Sequence, residues 1–311
     1  QKYPEFGRIS PKKVKLGLRL VGFNSTHIAN VEEPSMTSLA VALSVDARGP
    51  CAMYIITDSR ITYTWNTTII GKWDAGQKTF APTNFPDIFG FCGDAHFPPS
   101  AIRQMIDLVN NNILFHPSDS AKCRHRIAID VIRSVIERTT DAPPITNFAI
   151  LHGSRDGEFM TSKFRVWKTQ YFSKTDHWKD KELEVAEGTS YLAHLDGSGS
   201  ATVSKFNKDF QESCAGGTSR AAISAFCRAL HSGNDAYSGG PPQLVGMWRK
   251  GVAKHFGFIW CGKRYLCGVE VPPDSHFSNV NWFNQRFERY DGEKIKRLPN
   301  ARVHAKPDLG Y

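Results

Sequence analysis

The sequence predicts an α+β protein, a layered αββα sandwich with helices on both outer faces of two stacked sheets. Three observations carry that expectation. Strand-like apolar stretches come in three groups, and two pairs of helix-patterned stretches separate them. Apolar residues make up 41% of the 311, enough for a sizeable core, and the charged fraction of 22% is ordinary. Gly, Pro, Asn and Asp gather between the patterned stretches, where turns belong.

The first strand is read at 38–45, the run Leu39-Ala40-Val41-Ala42-Leu43 that follows Met36-Thr37-Ser38. Asp46-Ala47-Arg48-Gly49-Pro50 is a turn by composition and leads into a strand at 51–57. Residues 62–70 and 78–81 continue an antiparallel sheet, and 88–92 is a short buried strand ending at Gly93. Helical spacing follows at 100–115 through Ile102, Met105, Ile106, Val109 and Ile113. It recurs at 118–139 through Ile127, Val131, Ile132, Val135 and Ile136, with Ser118 as cap and Pro143-Pro144 as stop. Strands return at 146–152, 159–166 and 190–194, then helices at 200–210 and 220–230. The last strands are read at 243–249, 255–261 and 265–271. One domain is therefore expected over 37–271. Residues 272–311 form a C-terminal extension with no structure or role assigned. Residues 1–36, basic and without sustained periodicity, read as a leader: a propeptide, or upstream sequence translated ahead of a start at Met36.

The net charge of +9 raises nucleic acid as a partner, but the basic residues are spread along the chain. No zinc-finger spacing or RNA-binding aromatic signature accompanies them, so a solvated basic surface is the expectation. No apolar run is long enough to span a membrane, and residues 14–23 are broken by Lys15, Gly17 and Arg19, a poor signal-peptide core. A soluble, cytoplasmic protein follows as the expectation. The seven cysteines lack metal-ligand pairing and read as reduced core residues. Asn24-Ser25-Thr26 and Asn66-Thr67-Thr68 are chance matches to the glycosylation triplet. No metal or cofactor is called for.

Several polar residues stand out. Removal of Met36 by an aminopeptidase would leave Thr37 with a free amine beside its own hydroxyl, the two parts of an N-terminal nucleophile. Taken singly, each of the others has an ordinary explanation. Asp58 caps a strand end, Lys78 is a strand lysine, Gly93 sits at a turn, and Gly197-Ser198-Gly199-Ser200 is a turn with too few glycines for a phosphate loop. Asn234-Asp235-Ala236-Tyr237-Ser238-Gly239-Gly240 is less easily dismissed, since turn chemistry does not require that string in that order.

Taken together, the stretch from Thr37 to about Glu270 resembles proteasome β-type subunits and the HslV-like peptidases of the N-terminal-nucleophile (Ntn) hydrolases. The matches fall in family order: Thr37-Ser38-Leu39-Ala40, Asp58-Ser59-Arg60, Gln77-Lys78, Gly90-Phe91-Cys92-Gly93, Gly197-Ser198-Gly199-Ser200 and Asp235–Gly240. The resemblance implies the αββα Ntn fold and a threonine-type endopeptidase working through an acyl-enzyme. Thr37 would be nucleophile and, through its amine, base. Lys78 would be the cation beside it, Asp58 the carboxylate holding Lys78, and Ser198, Asp235 and Ser238 the network around the amine. The Gly93 amide would face the oxyanion, and Ile61 and Phe91 would line the substrate pocket. The resemblance also implies peptide or unfolded-protein substrates, a homo-oligomeric ring, and room for an ATP-dependent unfoldase or other regulator.

This chain departs from that family in three respects. Met36 stands where the family usually has glycine before the threonine, which favours an aminopeptidase over self-cleavage. The spacings Thr37–Asp58 and Asp58–Lys78 are a few residues long, which is attributed to extended hairpins, and Lys72 is a rival for the lysine's role. Two other readings are a catalytically silent subunit that contributes only ring contacts, and an Ntn amidohydrolase acting on a small amide.

Overall fold

The computed structural model describes residues 37–302, apart from 66–67, 139–143 and 145. The expected leader, the end of the second predicted helix and the Asn66 triplet lie outside the described residues wholly or in part. What is described is a mixed α+β protein with two large sheets and four α-helices.

The first sheet is built on β1 (Leu39–Asp46) and β2 (Gly49–Thr57), joined by the predicted turn. Next come β3 (Ile61–Trp65) and β4 (Thr68–Trp73), a separate two-stranded sheet. The second large sheet begins with β5 (Thr79–Phe80) and β6 (Asp87–Gly93). Helices α1 (Phe97–Asn110) and α2 (Ala121–Ile136) follow. Pro98 and Pro99 occupy the first turn of α1, where a missing N–H costs nothing. The second sheet then continues with β7 (Phe148–Asp156), β8 (Lys163–Phe172) and β9 (His177–Leu183), in the order β5-β6-β7-β8-β9. The chain returns to the first sheet through β10 (Tyr191–Asp196), then forms α3 (Ser200–Glu212) and α4 (Ser219–Ser232). β11 (Gln243–Trp248) and β12 (Lys254–Trp260) extend that sheet past β2.

Three apolar clusters separate these elements, and strand alternation sorts residues between them. On β1, Leu39, Val41 and Leu43 face the other sheet, meeting Ile88, Leu151 and Val166. Ala40 and Ala42 turn the other way, towards Phe206, Ala222 and Phe226 of α3 and α4. On β6, Ile88 faces the sheet interface, while Phe89 and Phe91 join Ile102, Met105, Ile129 and Ile132 of α1 and α2. Each large apolar side chain buried in this way contributes roughly 1.5–3 kcal/mol.

Where the elements differ from expectation, local polarity or turn geometry explains it. The strand expected at 62–70 is two strands of a hairpin, and it leaves the main sheet instead of continuing it. Ser120, not Ser118, caps α2, accepting from the Cys123 N–H at 3.2 Å. The strand read from 159 begins at Lys163, because Phe159–Thr161 is a helical turn. β9 is a largely exposed edge strand whose two apolar residues, Trp178 and Leu183, stand too far apart to give a strand pattern in the sequence. The strand at 265–271 breaks into β13 (Lys263–Leu266) and β14 (Val269–Glu270) at Cys267 and Gly268, both with positive φ. Of the seven cysteines, only Cys92 and Cys227 are buried, while Cys214 and Cys261 are exposed. The extension carries β15 (Trp282–Asn284), β16 (Arg289–Asp291) and β17 (Lys296–Arg297), and β15 pairs in parallel with β12.

Beneath α2 lies a buried polar knot. Arg124 Nε donates to Asp87 at 2.8 Å, and Asp87 also meets His152 Nε2 at 2.9 Å. Burial pushes His152 down to about 4, against the pull of Asp87, and burial likewise takes His255 on β12 down to about 4. On acidification the unfolded chain therefore protonates first, near pH 6.5, while both folded imidazoles stay neutral until about 4. Stability is fully present above that window and falls through it, by roughly 3 kcal/mol for each histidine. Urea midpoints at pH ~7.5 and ~4.5 should show this decline. A midpoint unchanged across the window would contradict it.

Candidate active site

The strand register gathers the polar strings at one end of the first sheet. Asp196 of β10, Leu39 of β1, Thr57 of β2 and Gln243 of β11 stand in a single row across four strands. Just beyond that row lie Thr37 and Ser38 before β1, Asp58 after β2, Ser198 after β10, and the 235–240 loop before β11. Positions up to two hundred residues apart thus share one sheet edge.

Lys78, directly before β5, reaches into this edge from the second sheet. Its Nζ lies 2.7 Å from Thr37 Oγ1, 2.8 Å from Asp58 Oδ1 and 2.5 Å from the Arg60 carbonyl oxygen. Lys78 is 1% exposed and Asp58 0%. Asp58 is held further by three backbone N–H groups, from Ser38 at 3.1 Å, Arg60 at 3.0 Å and Gly239 at 3.0 Å. Each is a charge-assisted bond of the stronger kind. The rival Lys72 sits on exposed β4, opposite Thr62.

A second group surrounds the Thr37 nitrogen, which donates to Ser198 Oγ at 3.3 Å. Ser198 and Ser238 hydroxyls both donate to Asp235 Oδ2, at 2.7 and 2.6 Å. Ser38 Oγ donates in turn to Ser238 Oγ at 2.9 Å. Gly199 is required here: a Cβ on it would stand 1.8 Å from Ser38 Oγ. In this structure the Thr37 nitrogen is a peptide amide, since Met36 precedes it in the chain. It marks the position an α-amine would occupy.

The remaining expected residues are placed differently. Gly93 ends β6 with φ +99° opposite Phe148, and the hydrogen bonds joining the six polar residues do not extend to it among the described residues. Ile61 opens β3, half-buried and next to Arg60. Phe91 is 1% exposed within the cluster under α1 and α2, so its ring offers no surface to a substrate. The alternation along β6, which sends Ile88 and Cys92 to the sheet interface, turns Phe91 the other way.

Two residues without a role in the sequence reading organise the site, and a third lies beside it. Gln243, buried, accepts from the Lys78 N–H at 3.0 Å, while its Nε2 donates to Ser59 Oγ at 2.9 Å and the Gly76 carbonyl at 2.7 Å. A glutamine opening an apolar strand was the available signal. Arg60 grips Asp74 at 2.7 and 2.9 Å and donates to the Ser238 carbonyl at 3.1 Å. That guanidinium holds the Asp74 carboxyl below its usual range. Asp196, two residues before Ser198, is the third. Burial alone would raise its carboxyl, but His194, Lys168 at 2.5 Å and the Gly197 N–H bring it to about 2.

No family model matches this chain, and no curated protein matches it. Among solved structures it is similar to eukaryotic HslV from Trypanosoma brucei, at 13% identity and a TM-score of 0.41, over 68% of this chain and 99% of that one. The chemistry of the site therefore rests on the geometry just described.

That geometry makes the two members of the ion pair unequal. Without Lys78, Asp58 keeps three N–H donors; without Asp58, Lys78 is left with one hydroxyl and one carbonyl. Asp58→Ala should destabilise the fold by ~3–5 kcal/mol, the range for stranding a buried charge. Lys78→Met should cost less, and adding it to Asp58→Ala should recover part of the loss. Urea unfolding of the three variants measures this, and equal costs for the two single variants would overturn it.

Proposed function

We propose that this protein is a threonine-type endopeptidase whose active form begins at Thr37. The observation that carries the reading is the contact of Lys78 Nζ with both Thr37 Oγ1 and the Asp58 carboxylate, beside a Thr37 nitrogen already bonded to Ser198. Freed by loss of residues 1–36, that nitrogen becomes an α-amine, which titrates near pH ~8. It takes the hydroxyl proton as Oγ1 attacks the scissile carbonyl carbon, and passes it to the departing amine as the C–N bond breaks. Water then attacks the ester left on Thr37, giving a proton to the amine, and the amine returns one to Oγ1 as the ester C–O bond breaks. In this reading the Gly93 amide donates to the oxyanion, and Ile61 is the pocket residue retained from the sequence. The three-cluster order of helices and sheets supports an αββα sandwich of the Ntn type. Assembly into an enclosing ring, supplied with unfolded chains by an unfoldase or another regulator, belongs to the same proposal.

Thr37→Ala should abolish peptide hydrolysis and covalent acylation without moving the urea midpoint, while Thr37→Ser should retain part of the activity. N-terminal sequencing of the active species should read Thr37 first. An active enzyme that keeps residues 1–36 would refute the mechanism, and a chain that keeps them and is inactive would be a silent subunit.

Lys78 gives a second test. A cation beside the amine disfavours its protonation. Lys78→Ala should lower the rate at pH 7 by ~10²-fold or more, within the range for losing an acid–base partner. Part of that loss should return at higher pH, where the amine deprotonates unaided. Lys78→Arg keeps charge but not the compact shape, and should rescue poorly. Lys72→Ala should change little; loss of activity there with Lys78→Ala spared would overturn the assignment.

A further inference from the structure

Gln243 is a buried amide, 1% exposed, at the head of an otherwise apolar strand, and it follows Pro241 and Pro242. Its two ends bind different segments. Oε1 accepts from the Lys78 N–H at 3.0 Å and from the Thr79 hydroxyl at 3.4 Å. Nε2 donates to the Gly76 carbonyl at 2.7 Å and to Ser59 Oγ at 2.9 Å, with the Asp58 carbonyl further off at 3.3 Å. The direction of the amide is forced, because the Lys78 N–H can only donate and the Gly76 carbonyl can only accept. The Ser59 hydrogen goes on to the Pro241 carbonyl at 2.6 Å, so the serine oxygen is left to accept from Gln243.

The consequence is a fixed span between the two members of the buried ion pair. Lys78 stands directly before β5, a two-residue strand at the edge of the second sheet, and Asp58 follows β2 of the first. The Lys78 Nζ has to meet Thr37 Oγ1, Asp58 Oδ1 and the Arg60 carbonyl together. A lysine stem is flexible, so the ion pair alone would let the main chain shift while the charges stay paired. Gln243 removes that freedom by holding the main chain at Gly76 and Lys78 to Ser59, the neighbour of Asp58. The turn at Gly268 seals the amide on one side. A Cβ there would lie 2.9 Å from Ser59 Oγ and 3.0 Å from Gln243 Nε2.

We propose that Gln243 is a positioning residue for peptide hydrolysis: by tying the Lys78 main chain to the exit of β2 it keeps the ammonium against Thr37 Oγ1, and it acts on the reaction only through Lys78. The proposal rests on the peptidase reading and adds to it a residue that has no hydrogen bond to Thr37 among the described residues. Acting through a single partner leaves a measurable signature. Where the lysine is already gone, loss of the glutamine has nothing left to misplace.

The test measures hydrolysis of fluorescein-labelled casein, an unfolded protein, by the chain in its active form. Gln243→Met, similar in length but without the amide, should lower kcat at pH 7 by roughly 10- to 100-fold, with KM changed less than about twofold. In a chain carrying Lys78→Ala the same substitution should change the rate by less than about twofold. Part of the loss in Gln243→Met should return at higher pH, where the amine, among the charges of Lys78, Asp58, Arg60 and Asp235, deprotonates unaided. A smaller folded fraction would instead cost the same at every pH. Ser59→Ala is the milder variant for the case that Gln243→Met lacks native circular dichroism. It removes one partner of the amide and should lower kcat by roughly two- to fivefold, again only where Lys78 is present. The positioning role is overturned if the losses multiply in the double variants, if the loss falls on KM with kcat kept, or if kcat does not change. With no hydrolysis by the unsubstituted chain the peptidase reading fails and this role falls with it, whereas hydrolysis with multiplying losses overturns this role alone.

Discussion

A lysine that is 1% exposed and an aspartate that is 0% exposed constrain everything else in this structure. Taking two charges out of water is expensive, and their attraction seldom repays it without further hydrogen bonds. Asp58 has those bonds, from the N–H groups of Ser38, Arg60 and Gly239. These belong to three separate segments: the lead into β1, the exit from β2 and the loop before β11. Satisfying one carboxylate thus forces three segments to converge. Lys78 brings in a fourth, from the second sheet, and both sheets then have to hold their relative position at that edge.

Around this pair sits a second layer that fixes directions. Gln243 determines where the Lys78 backbone runs, by accepting from its N–H and donating to the Gly76 carbonyl two residues earlier. Arg60 ties the 235–240 loop to the hairpin base through the Ser238 carbonyl and Asp74. The close packing at Gly199 and Gly239 follows from this convergence. A side chain at Gly239 would stand 2.4 Å from the Arg60 guanidinium carbon, and one at Gly199 would displace Ser38.

Much of this was legible in the sequence, for identifiable reasons. The polar strings are local, and each sits where an apolar run stops, so they could be found before any fold was known. Helices α1 to α4 announced themselves by spacing, with ends off by a few residues where a cap such as Ser120 competed with a neighbour. What stayed hidden depends on contacts at long range. Lys78 and Lys72 are both plausible as letters, and only the path of the β3–β4 hairpin puts one against Thr37 and the other in solvent. Phe91 has the composition of a pocket residue, but its side of β6 is decided by which face the helices cover. β9 has one apolar residue on each face, Trp178 and Leu183, and β15 to β17 are two or three residues long, too little pattern for periodicity to act on.

The hydrogen count around Asp235 bears on how a freed Thr37 amine would act in the proposed mechanism. An ionised carboxylate only accepts, so the Ser198 and Ser238 hydroxyls must each spend their single hydrogen on it. The Ser198 oxygen is then left as an acceptor, and the group it faces is the Thr37 nitrogen. A neutral amine there would give one N–H to Ser198, which orients it and leaves its lone pair uncommitted. On the other side, Lys78 can only donate, so Thr37 Oγ1 accepts from it and its own hydrogen points elsewhere. The hydroxyl thus has a proton to give and the amine a lone pair to receive it, on two groups of one residue separated by Cα and Cβ. In the proposed mechanism Asp235 thus acts on the amine through Ser198, by taking the Ser198 hydrogen and leaving that oxygen to accept from the Thr37 nitrogen.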